Sequence, residues 1–324
     1  MVAVAVAALA TGNAGAGRAG SDQPALPELA QQLGHVASVD IRRSDLHLTF
    51  IRNGNDWLVR QKDDYPADSG KVRRIVLALA DMTLVEPKTR EPTLYPRLEV
   101  EDPVKGKSTL VTIKNEPGAA IAALIVGKRR FDRLGEGNDG VYVRKPGDPQ
   151  SWLAGGSLDF SSDTASWLSR GIVDISDTRI AKVELTQTDG TRLMLSRAKP
   201  AAKFTVENPP KNAKYKSDTV LGEPATALEA LDLSDVQATT KLPVPKGATA
   251  ASYTTFDGLT VTVELFQHDN KDWIALTATG SGKGAAEAKK IDDRVSHWVY
   301  AIPAYKAKMI GTKFADLLAP ANGS

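Results

Sequence analysis

No cysteine occurs among the 324 residues, which excludes disulfides, thiolate metal sites and a cysteine nucleophile and leaves the redox compartment open. Histidine is scarce too. His35, His47, His268 and His297 are scattered, and no two stand at metal-ligand spacing. Neither sign of charge prevails: 41 Lys and Arg against 39 Asp and Glu leave a formal +2, so nothing global argues for nucleic acid or an anionic membrane. Long hydrophobic runs are missing as well. The run from Val2 to Ala10 falls well short of the roughly 20 residues a membrane-spanning helix needs, and it lacks the basic residues that open a signal peptide. Two readings of residues 1–34 stand: the remnant of a signal or anchor followed by a linker, which is the expectation adopted, or a flexible Ala-rich tail.

What is present describes a folded chain. Hydrophobic residues make up 42% and charged residues 25%, ordinary values for a globular protein, and the length suits about two domains. The stretch from Asn55 to Thr89 sets the pattern. A short strand at Trp57-Leu58-Val59 leads through a polar turn to Tyr65-Pro66, and Asp68 or Ser69 can cap the helix that follows. In that helix Val72, Ile75, Val76 and Leu79 fall at i, i+3, i+4 and i+7, one apolar stripe.

Strands are predicted over Val36–Arg42, Leu46–Ile51, Thr109–Ile113, Ile121–Val126, Gly140–Arg144 and Ser151–Leu153, with Asn53-Gly54 as a hairpin signal. Gly135-Glu136-Gly137 reads as a turn, and Ser162 or Asp163 as the cap of a short helix. From Thr178 the order recurs: strands at Ile180–Leu185 and Arg192–Ser196, Phe204-Thr205-Val206 in the place of Trp57-Leu58-Val59, Tyr215 in that of Tyr65, and a helix over Val220–Leu233. Three further strands follow, at Tyr253–Phe256, Leu259–Phe266 and Trp273–Thr279, then a helix from Ala285 to Tyr300 and a last turn at Lys313–Leu318. The expected fold is α+β in two similar modules, 35–176 and 177–324, each an antiparallel sheet with a packed helix, so that βββα occurs twice; chance likeness between short β-rich units is the alternative.

Motifs for chemistry fail on their own requirements. Gly106-Lys107-Ser108-Thr109 has Glu101 where a phosphate loop needs its leading glycine, and it runs into a strand. Gly280-Ser281-Gly282-Lys283-Gly284 lies between a strand and a helix, yet Thr277 stands at the leading position and Gly284 follows the lysine, so it reads as a turn. Gly155-Gly156-Ser157 lacks the second glycine of a nucleophile elbow, since position 159 is Asp159. No catalytic, cofactor-binding or metal-binding residue is nominated, and no cofactor is expected.

Several strings, in order along the chain, resemble the bacterial family known as domain of unknown function 4340. They are Trp57 through Tyr65-Pro66-Ala67-Asp68 into the Val72–Leu84 helix, Leu94-Tyr95-Pro96-Arg97-Leu98, Leu124-Ile125-Val126-Gly127-Lys128, Val141-Tyr142-Val143-Arg144 and Gln150-Ser151-Trp152-Leu153-Ala154. Trp167-Leu168, Ile172-Val173-Asp174-Ile175 and Tyr300-Ala301-Ile302-Pro303-Ala304-Tyr305-Lys306 complete the set. The resemblance implies an envelope protein on the periplasmic side, held by an N-terminal segment and encoded beside gliding-motility-type ABC transporters; it implies no catalytic residues. Glu99 stands where a glycine is expected, so a looser turn is expected there.

The function expected from the resemblance is therefore a non-enzymatic accessory protein partnered with membrane-embedded transporter subunits, with no nucleic acid involved. A carboxylate-dependent hydrolase or carbohydrate-active enzyme is one alternative, and a soluble ligand-binding component of the transporter another. Tyr305 and Lys306 are the candidate docking residues. Pro303 is expected to end the last helix and leave both exposed, aromatic area beside positive charge.

Overall fold

Residues 23–103, 106–116, 118–131, 139–156 and 158–320 are described by the computed structural model. The expected export remnant with the linker up to residue 22, the Gly135-Glu136-Gly137 turn and Ser157 lie outside them. Long antiparallel sheets and short helices make the fold mixed α+β. The chain divides into two units, one of residues up to Arg52 with Gly70–Ser162, the other of Asn53–Ser69 with the residues from Asp163 onward.

In the first unit the period-two pattern sets the sheet. Thr109, Val111 and Ile113 of the strand Thr109–Asn115 are buried while their neighbours are half-buried. The strands lie in the order Gln23–Pro24, Thr83–Pro87, Ser151–Gly155, Gly140–Arg144, Ala120–Arg130, Thr109–Asn115, Val36–Arg42, His47–Asn53, each antiparallel to the next. The helix Ser69–Ala80 buries Val72, Ile75, Val76 and Leu79, the expected stripe. Asp81 N–H closes its last turn on Leu77 O at 2.9 Å. The apolar run that follows becomes the strand Thr83–Pro87, an element beyond those the sequence predicts.

The strings that carry the family resemblance converge here. Tyr95, Val100, Ile125, Tyr142 and Leu153 form one buried cluster. Arg144 lies over the Tyr95 ring at 4.6 Å and donates through Nε to Val100 O at 2.9 Å, and Tyr95 Oη donates to Pro149 O at 2.7 Å. Every one of these polar groups is spent on holding a loop. The turn after Tyr95–Leu98 is closed, contrary to expectation: Glu99 takes φ 56° and ψ 40°, and its N–H reaches back to Pro96 O and Tyr95 O. Opposite it, a Cβ on Gly127 would fall 2.3 Å from Leu98 O, so only glycine admits the turn against the strand.

The second unit has the strand order Thr205–Val206, Arg192–Ser196, Ile180–Thr186, Thr249–Thr255, Leu259–His268, Lys271–Gly280, Trp298–Ile302, Asp235–Ala238, again antiparallel throughout. The long hairpin turns on Asp269 and Asn270, both left-handed at φ 49° and 57°, as a type I′ turn requires. Gly280 lets the helix Ala285–Val295 lie close, since a Cβ there would come within 2.8 Å of Ala288 Cβ. Gly284 is equally confined, since a Cβ there would fall 2.3 Å from Leu259 N, and Gly282 turns left-handed at φ 55°.

Two predicted helices are corrected. The 220–233 helix survives only as Asp218–Gly222 followed by a 3-10 stretch at Glu223–Leu228, because Pro224 has no N–H to continue the α ladder and Ala230 turns left-handed at φ 41°. The 285–300 helix stops at Val295. Trp298–Ile302, rich in β-branched and aromatic residues, is a central strand.

The hairpin Asp56–Val59 with Tyr65–Pro66 is counted in this unit. Its Tyr65 meets Trp298 edge to face at 5.0 Å and Tyr300 at 6.2 Å and donates to Ser169 O at 3.1 Å. Lys62 Nζ reaches Asp235 Oδ1 at 2.5 Å, and Lys241 pairs with Asp63.

Candidate docking groove

Pro303 begins a helix instead of ending one. It lies just outside Ala304–Ile310, and its carbonyl accepts from Lys306 N and Ala307 N at 2.9 and 3.2 Å. Neighbouring side chains on a helix point about 100° apart, and this separates the two predicted docking residues. Tyr305 is 58% exposed, as expected; Lys306 is 6% exposed, which corrects the expectation that it is exposed. Lys306 Nζ donates to Thr226 O at 3.1 Å and Glu229 O at 2.5 Å. It thereby sits on two carbonyls where the 3-10 stretch ends, sharing Thr226 O with the Glu229 N–H at 3.1 Å, a place suited to a cation. Burial pulls its pKa below the ordinary lysine value, against the attraction of Glu229, Asp174 and Asp232.

With Lys306, Ala307 and Ile310 buried, the opposite face carries Tyr305, Lys308 and Met309, spaced i, i+3 and i+4, and Thr312 follows just past the helix end. These four line a trough of about 430 Å³ with Lys216, Val220, Glu223, Asp316 and Leu317. Its walls are fixed. Thr312 Oγ1 donates to Lys308 O and Met309 O at 3.1 and 2.9 Å, Thr226 Oγ1 contacts Met309 Sδ at 3.6 Å, and segments 214–216 and 317–319 pair through Lys216 N–H to Leu317 O at 3.0 Å and Ala319 N–H to Lys214 O at 2.8 Å. The sequence reading finds Tyr305 but misses the rest of the lining. A helix begun at Ala304, just after Pro303, would have exposed the same-face spacing.

Other places where chemistry-bearing groups meet are internally spent. Asp257 and Glu287 converge, but both bind Arg179, at 2.8 and 2.7 Å. The hydrogen bond from Arg179 holds Glu287 below the usual carboxylate range, and bonds from Thr255 and Arg179 do the same for Asp257, so neither is poised as a general acid near neutrality. Asp40, 7% exposed, accepts from Arg42 Nε at 2.8 Å and Thr49 Oγ1 at 2.9 Å and pairs with His47 Nε2 at 2.9 Å. Burial pushes its pKa up, yet His47, Thr49 and Arg42 together bring it below the ordinary value. His268 meets Asp269 at 3.2 Å in the hairpin turn. Among the described residues no His, Asp and Glu side chains group as a metal-binding set, and no helix is long and apolar enough to cross a membrane.

A search of curated proteins finds no match. The profile of domain of unknown function DUF4340 matches residues 57–257, more than half of the chain, with Tyr305, Lys306 and the helix that carries them beyond the matched stretch. The span includes the buried cluster of Tyr95, Val100, Ile125, Tyr142 and Leu153, and on it this chain belongs to the DUF4340 family.

Proposed function

We propose that this chain is a non-enzymatic accessory protein of the bacterial cell envelope, on the periplasmic side and tethered through its N-terminal segment. In this reading it docks on the membrane-embedded subunits of an ABC-type transporter through the trough beside Tyr305. The setting rests on what the resemblance read in the sequence implies. The observation that carries the docking role is Tyr305: a large amphipathic ring, 58% exposed, on a helix whose other face is anchored by the buried Lys306. A rigid aromatic on a fixed rim offers contact area at little ordering cost. Co-purification of the transporter subunits with wild type and with Tyr305→Ala tests the reading. Partner recovery should fall while thermal unfolding is unchanged; equal recovery removes this surface.

The same reading includes a tandem plan, with modules over 35–176 and 177–324. Its support is the strand order. In each sheet a hairpin (Val36–Arg42 with His47–Asn53; Ile180–Thr186 with Arg192–Ser196) pairs through its first strand with a four-strand meander. The meander's last strand pairs with the strand that follows the helical segment, Thr83–Pro87 in one case and Asp235–Ala238 in the other. Superposing the two sheets in a crystal structure tests the plan, and a mismatch of the meanders in direction or curvature would discard it.

A further inference from the structure

We draw no further inference here: the strongest candidate, the surface patch at the end of the strand Ala120–Arg130 where Phe131 is 67% exposed and the Arg129 guanidinium lies 5.0 Å from its ring, carries nothing because nothing in the structure shows what covers it.

Discussion

Glu99 and Gly127 meet across one turn, and changing each in turn should move stability in opposite directions. Glu99 sits at φ 56°, where an L side chain costs roughly 1–2 kcal/mol. Its carboxylate makes no hydrogen bond or ion pair among the described residues, so Glu99→Gly removes the strain without breaking a contact. Against this stands the extra backbone freedom of glycine in the unfolded chain, roughly 0.5–1 kcal/mol. The net expectation is a gain of about 0.5–1 kcal/mol. Gly127→Ala should do the reverse. Its Cβ would stand 2.3 Å from Leu98 O and 2.6 Å from Glu99 O; both are backbone atoms of a turn held by hydrogen bonds and cannot swing away. A loss of about 1–3 kcal/mol is the usual consequence of forcing atoms into a packed site, and a backbone clash belongs at the upper end. Urea unfolding followed by circular dichroism reads both, through midpoints at constant slope. Stabilisation absent in Glu99→Gly, or Gly127→Ala as stable as wild type, would refute the tight-turn account.

Lys306→Met keeps most of the side-chain volume and removes the ammonium. Thr226 O retains the Glu229 N–H at 3.1 Å, so the chief loss falls on Glu229 O; a cost of about 1–3 kcal/mol is expected, and unchanged stability in urea would show that the ammonium is not an anchor. Asp40 contributes with a definite pH sign. Its folded pKa lies below the ordinary value, so its contribution is present above the unfolded value of about 3.9 and is lost as pH falls through the folded one. Asp40→Asn should therefore be less stable than wild type near pH 7, and the two should converge in acid; a difference that persists near pH 2 would assign the loss to packing.

How far the sequence could be read follows from the range over which each signal acts. The Ser69–Ala80 helix and the strands Val36–Arg42, Thr109–Asn115 and Ile180–Thr186 were legible because their apolar spacing is local and unambiguous. Trp298 and Val299 misled because they also continue the Ile291 and Val295 stripe. Only pairing with Lys271–Gly280 on one side and Asp235–Ala238 on the other makes them strand, and that information is far away in the chain. The docking residues show the same limit. Tyr305 was found by its chemistry, but the sides on which Tyr305 and Lys306 point depend on where the helix starts. Reading Pro303 as an end rather than a beginning placed Lys306 in solvent, whereas the carbonyls it serves belong to a segment some 80 residues earlier.

The Tyr65 hairpin has a consequence for the order in which the molecule is made. Its aromatic partners, Trp298 and Tyr300, lie near the opposite end of the chain. At roughly 5–20 residues per second of synthesis, Tyr65 emerges on the order of ten seconds or more before them. Over that interval the hairpin has no partner from the last strand, and Lys62 and Asp63 wait likewise for Asp235 and Lys241. The second unit is thus completed only when a late-made strand returns to an early-made hairpin, which makes its closure a late, long-range event.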